Sequence, residues 1–299
     1  MTYSIVARDS GTGEMGVAVQ SHFFSVGPVV PWGEAGVGVV ATQAMAEPGY
    51  GSLGLDLMRG GKTATQTLRA LIAADAGESL RQVAMIDANG DVAAHTGSRC
   101  IAHAGHRAGD GVSVQANMME RDTVPDAMLA AYTATSGDIA TRMLAALDAA
   151  EGEGGDIRGR QSAAMLVVNT AGTGRPWWHD RPLDLRVEDH PEPHAELRRL
   201  VGLRRAYTAS SVGQNLIGTG DLEAGLAKLD EARALAPDSA EHAFWRGIAL
   251  SSHDAVEAQR CIAIACREDA RWAELLRRLP ASGLLPDDPT LIAQLLASV

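Results

Sequence analysis

Apolar and polar residues alternate along the first twenty positions, which predicts a β-hairpin. Tyr3-Ser4-Ile5-Val6-Ala7-Arg8 reads as a short strand. Asp9-Ser10-Gly11-Thr12-Gly13 supplies turn chemistry, and Glu14 to Ser21 reads as the returning strand. A third strand is expected at 36–42, where small residues allow close backbone approach. The Gly-rich stretch 48–52 precedes a helix at 54–58. Thr63 caps a second helix ending near Ala74, with Leu68, Leu71 and Ile72 on one face. Strands at 81–87 and 91–96 flank Asn89-Gly90, the strongest hairpin signal in the chain. A strand at 112–116, helices at 122–134 and 137–151, a Gly-rich loop and a buried strand at 161–169 complete this pattern.

From Pro193 onward only helical spacing remains. Pro176, Pro182, Pro191 and Pro193 mark the change, so the expected domains are 1–192 and 193–299. Helices are expected at 195–206, 211–219, 221–235, 239–250 and 254–268. Gly220-Asp221 and Ala236-Pro237-Asp238 resemble the punctuation of tetratricopeptide-type helical hairpins. Fewer than two repeats are visible, too few for a free-standing solenoid. The tail is expected to pack on the first domain or a second subunit, or to recruit a protein partner.

Composition is that of an ordinary globular chain, 46% hydrophobic and 21% charged, so a sizeable core is expected. The formal net charge of −11 argues against non-specific nucleic-acid binding. No apolar run is long enough to span a membrane, and the first residues lack a signal-peptide pattern, so the expected location is the cytoplasm. Cys100, Cys261 and Cys266 form no C-x-x-C pair, which fits a reducing compartment. A homodimer is the expected assembly, as the commonest symmetric oligomer.

Four features carry candidate chemistry. Removal of Met1 would leave Thr2 with a free α-amine, so one residue would supply both nucleophile and base. An α-amino pKa near 8 suits a base at neutral pH. The segment 95–106 holds His95, His103, His106 and Cys100, which are zinc-type ligands at a spacing that matches no standard finger. A substrate-contacting loop, or a set of satisfied structural histidines, is the preferred reading there, with no metal. Asp156 with Arg158 and Arg160 offers a guanidinium fork for a carboxylate; an ordinary solvated loop is the competing reading. Ser21-His22 is not a dyad, because neighbours on a strand face opposite ways; His22, Gln20 and Gln43 remain pocket candidates. No dinucleotide fingerprint or phosphate loop is present, so no cofactor is expected.

Together, MTYSIVARDSGTGEMGVAVQS, GVGVVATQA, PGYGSLGLDL, AAHTGSRCIAHAGH, GVSVQANMM and GGDIRGRQSAAMLVV resemble, in order, the signature blocks of the domain of unknown function 1028 family. The resemblance runs from Thr2 to about Pro193. It implies an α+β fold of the Ntn-hydrolase superfamily, a four-layer αββα sandwich whose first strand carries the nucleophile. It therefore implies an amidohydrolase acting on a small amide or peptide-like substrate, with Thr2 as nucleophile and Asp156 and Arg158 beside it. His22, Gln43, His95, His106, Gln115, Asn117 and Arg160 are the expected substrate contacts. The proteasome-like branch uses a strand lysine, whereas no lysine precedes Lys62 here. Any auxiliary charge must then be an arginine, with Arg8, Arg158 and Arg160 as candidates, or the pocket works differently. A non-catalytic small-molecule binding protein is the alternative on the same fold.

Overall fold

The computed structural model describes residues 2–175 and 177–298. Strand β1 (Thr2–Arg8) turns back into β2 (Met15–Ser21). Asp9 closes the turn by accepting the backbone N–H groups of Gly11 and Thr12. Next come β3 (Pro31–Glu34), β4 (Gly38–Ala44), α1 (Gly49–Arg59) and α2 (Ala64–Ala74). Thr63 and Gln66 form a reciprocal capping box at the start of α2. The second hairpin is β5 (Arg81–Asp87) and β6 (Val92–Thr96), with Gly90 at φ 92° in its turn. Then follow β7 (Gly105–Gly109), β8 (Val112–Asn117), α3 (Val124–Ala134), α4 (Ile139–Gly152), β9 (Ser162–Val168) and β10 (Leu183–Val187).

These strands form two antiparallel sheets. The six-stranded sheet has the order β10-β9-β2-β1-β8-β7, and the four-stranded sheet β3-β4-β5-β6. Alternation along each strand sorts the side chains onto two faces. Val6, Val17, Val19, Ala164 and Leu166 of the larger sheet share one core with Val39, Ala41, Ala84 and Ile86 of the smaller. The opposite face of the larger sheet, with Ile5, Val114 and Met165, packs on Met128, Met143 and Leu147 of α3 and α4. The outer face of the smaller sheet, with Val40, Val83 and Met85, packs on Leu55, Met58 and Leu68 of α1 and α2.

Strands β3, β7 and β10 are not anticipated by the sequence pattern. Each is short: β3 opens on a proline, β7 (GHRAG) has no apolar alternation, and β10 lies in the proline-marked stretch. The third strand runs two residues later than expected, and the first helix includes the Gly-rich stretch.

A single helix α5 (Pro193–Gly218) replaces the two expected at 195–206 and 211–219. Tyr207-Thr208-Ala209-Ser210 carries neither Gly nor Pro, so nothing there interrupts it. The chain divides into two compact units between Val201 and Gly202, within this helix. The second unit continues with α6 (Leu222–Leu235), α7 (Ala240–Leu250), α8 (Ala255–Glu268), α9 (Arg271–Arg278) and α10 (Pro289–Leu295). Asp221, Ser239 and Asp254 cap α6, α7 and α8 through their side chains. Phe244, Ile262, Leu276 and Leu295 centre its core. No helix among the described residues is long and apolar enough to cross a membrane.

Candidate active site

Strand β1 is held on both sides, and its register decides which residues meet Thr2. Thr2 lies opposite Ser21 of β2 and Asn117 of β8, and Ser21 lies opposite Ser162 of β9. The result is a polar row, Asn117–Thr2–Ser21–Ser162, across four strands at one end of the face between the sheets. The Thr2 hydroxyl donates to Ser21 Oγ at 3.0 Å. Ser162 Oγ donates to Phe23 O at 2.6 Å and accepts from Val26 N at 3.1 Å, which fastens the loop after β2 to the same row.

Behind this row lies a buried chain of amides. Gln82 Nε2 donates to the backbone oxygens of Gly105 (3.1 Å) and Ala116 (2.9 Å) and to Thr96 Oγ1 (3.0 Å). Carbonyl oxygens only accept, so this end of Gln82 must be its nitrogen. Gln82 Oε1 then accepts from Gln43 Nε2 (2.7 Å) and Asn117 Nδ2 (2.8 Å). Both nitrogens also reach the Thr2 carbonyl, at 3.1 and 3.4 Å. Gln115 donates to Ser4 Oγ, which donates to Gln43 Oε1, each at 2.6 Å. Gln43, Gln115 and Asn117 therefore give their amide hydrogens to protein acceptors. One acceptor is left over: Asn117 Oδ1, fully buried beside Thr2, has no hydrogen-bond partner.

Thr2 and Ser21 form the floor of a pocket of ≈ 380 Å³. Phe23, Val26, Val29 and Val30 line one side; Gln43, Ala44, Met45 and Ala46 line another; Arg81 and Arg158 complete it. Its size falls within the range of about 300–1,000 Å³ common for small-molecule sites. Another cavity, of ≈ 170 Å³, is lined by Gly27, Trp32, Arg181 and Arg186 and contains no comparable nucleophile–amide row. Ser25, Ala44 and Met118 are the described non-glycine residues with positive φ, at 58°, 69° and 57°. All three lie around the Thr2 end of the strands. Such conformations cost free energy and concentrate at functional sites.

Two ion pairs fix the pocket's cations. The Asp156 carboxylate is fully buried; it accepts Arg158 Nε at 3.0 Å and Nη2 at 2.8 Å, and the backbone N–H of His22 at 3.1 Å. Arg81 donates through Nε to Asp75 at 2.8 Å and through Nη1 to Met45 O at 2.7 Å. The Arg81 hydrogen bond, aided by the Gly77 backbone N–H, lowers the Asp75 pKa from 3.8 to about 2. This depressed value favours the folded chain above pH 3.8, and the benefit is lost as pH falls through about 2. We expect an NMR titration to give Asp75 a midpoint near 2 that moves toward 3.8 in Arg81→Gln. A midpoint unmoved by that substitution would deny Arg81 this role.

The remaining candidates are elsewhere. His22 lies just past β2 with Nδ1 buried and without a hydrogen bond. His95 contacts Glu78, His103 contacts Glu120 O, Cys100 contacts Arg81 O, and His106 Nδ1 shares a hydrogen bond with Thr96 Oγ1 at 2.8 Å. These four side chains thus have separate partners. Among the described residues no group of three His, Cys, Asp or Glu is placed to hold a metal. His106 joins the amide chain through Thr96, and burial lowers its pKa. Arg160 pairs with Glu151 and Glu192, away from the pocket. Glu151 also accepts the Tyr3 phenol at 2.5 Å, on the face of β1 opposite Thr2. Gln20 lies opposite Tyr3 in register, so it shares that face. Arg8 lies at the far end of β1 from Thr2. Met1, whose removal the Thr2 chemistry requires, is outside the described residues.

Sequence reasoning passed over Ser21 as a partner of Thr2, and also Gln82, Thr96, Ser162 and Arg81. Counting back across the first turn places Ser21 opposite Thr2, so that contact had a signal. Gln82 and Arg81 reach the site from the other sheet and had none.

The first unit is an α+β fold of two antiparallel sheets with a pocket of ≈ 380 Å³ at the Thr2 end of β1. The chain belongs to the family of unknown function DUF1028, whose model matches residues 2–197. A crystal structure of a Silicibacter pomeroyi protein assigned to the same family model is similar, with a TM-score of 0.60 and 33% identity. That match covers 67% of this chain and 87% of the other. No curated protein matches the chain.

Proposed function

We propose that the first unit is an Ntn-type amidohydrolase on a four-layer αββα sandwich, with Thr2 as its nucleophile once Met1 has been removed. The observation that carries this reading is the environment of Thr2. Its hydroxyl is oriented by Ser21 at the floor of an open pocket, and an unpartnered buried acceptor, Asn117 Oδ1, lies beside it. A buried acceptor without a donor costs about 1–3 kcal/mol. A free α-ammonium on Thr2 would supply that donor.

The Thr2 hydroxyl attacks the substrate carbonyl carbon, and its proton passes to the α-amine. The C–N bond then breaks, and the departing nitrogen takes that proton. Water, activated by the same amine, cleaves the resulting ester and restores Thr2. Arg158, rigidly held by Asp156, supplies positive charge for the developing oxyanion. Gln43 and Asn117, with their hydrogens committed, fix the Thr2 backbone instead. In the second unit, the pairing of α6 with α7 and of α7 with α8 supports a tetratricopeptide-like tail.

Intact mass spectrometry of the native protein tests the first requirement. The expected mass lacks one methionine, and a chain that keeps Met1 cannot use this mechanism. In that case the non-catalytic binding protein becomes the better account of the same pocket.

A further inference from the structure

We infer that the pocket selects amides that pair an apolar body with a single carboxylate, of which an N-acyl amino acid is the simplest example, and that Arg81 reads the carboxylate. This ligand class rests on the proposed hydrolase reading for its chemistry, and on the pocket's own walls for its recognition.

The walls are of two kinds. Phe23, Val26, Val29, Val30 and Met45 make an apolar side. Phe23 is 51% exposed and Met45 57%, while Phe24 and Ile157, each next to a lining residue, are 64% and 63% exposed. Phe23 and Met45, large apolar side chains left open in the pocket wall, mark a contact surface for an apolar ligand. The other kind is cationic. Arg81 is fastened through Nε to Asp75 and through Nη1 to Met45 O, while its Nη2 has no hydrogen-bond acceptor among the described residues. A guanidinium carries five N–H donors, so the Asp75 contact positions Arg81 without exhausting it. A fork held from behind loses little freedom on binding a carboxylate. The proposed mechanism assigns Arg158 to the reacting carbonyl, which leaves the ligand's charge to Arg81, the other arginine lining the pocket.

Hydrolysis of such a ligand breaks its amide C–N bond and adds one water. It releases a carboxylic acid and a free amino acid, and it needs no oxidant, reductant or metal.

The test uses the full-length Thr2→Ala protein, N-acetyl-L-leucine and its uncharged analogue N-acetyl-L-leucinamide, with binding read by calorimetry. The acid is expected to bind about 10–100-fold more tightly, the effect of one charge-assisted contact. Adding Arg81→Gln should level the two ligands, and Arg81→Lys should recover part of the difference. If Arg81→Gln does not fold, the acid's affinity in the parent must still fall with added salt while the amide's does not. Equal affinities, a preference that survives folded Arg81→Gln, or binding of neither ligand would overturn the inference. The Met1-free wild-type chain separates the two ideas. Carboxylate-dependent binding without turnover would overturn the hydrolase and leave the ligand class standing. Turnover of the amide as fast as the acid would do the reverse.

Discussion

Under the proposed mechanism, replacing Thr2 with alanine is expected to lower amide hydrolysis by about 100,000-fold, the loss of a nucleophile that acts as a unit with its base. The substitution removes only the hydroxyl and γ-methyl. Alanine is small enough to keep Met1 removal, and the backbone bonds from Gln43 and Asn117 to residue 2 do not involve its side chain. Fold and pocket should therefore persist while chemistry stops. Thr2→Ser keeps the hydroxyl opposite Ser21 and remains a hydrolase. The measurement is kcat on one amide for the three proteins, after intact mass has confirmed the new terminus. Wild-type turnover in Thr2→Ala would rule out Thr2 as the nucleophile.

The largest effect on stability is expected at Gln82. This side chain is fully buried; its two Nε2 hydrogens are shared among three acceptors, and its Oε1 receives two hydrogen bonds. Leucine has similar bulk but no polar atoms. In Gln82→Leu the oxygens of Gly105 and Ala116 lose a donor, while Gln43 and Asn117 lose an acceptor. Each buried group left unmet costs about 1–3 kcal/mol, so a loss of about 4 kcal/mol is expected. Thr67 provides the contrast, because its hydroxyl is buried without a partner, and Thr67→Val should raise stability by about 1 kcal/mol. Urea denaturation midpoints compare the two. Similar midpoints would mean that the amide chain contributes nothing.

The parts of the fold legible in the sequence are those set by neighbours. Asp9 with Gly11, and Asn89 with Gly90, announce their hairpins because turn chemistry is local. Thr63 and Gln66 announce a helix start for the same reason. β7 was hidden because its contact is with β8 and its own residues do not alternate. Within the site, Thr2 was legible from its own chemistry, a hydroxyl next to a potential amine. Ser21 was judged against its chain neighbour His22, when its real partner lies across the hairpin. The segment 95–106 misled in the opposite direction. Its His and Cys residues are close in number, yet the turn into β7 sends them to different acceptors. Gln82 is 39 residues from Gln43 and 35 from Asn117 along the chain, so no spacing rule reaches it.

One small contact bears on how the pocket would respond to a ligand. Ser162 Oγ bridges Phe23 O and Val26 N, and Ser162 stands next to Ser21 in register. The segment that brings Phe23 and Val26 to the pocket is thereby stapled to the strand row that carries Thr2. Wall and floor share one rigid frame, so admitting a ligand requires little rearrangement of either. Binding should then proceed at nearly the encounter-limited rate, without the slow phase that a closing loop imposes.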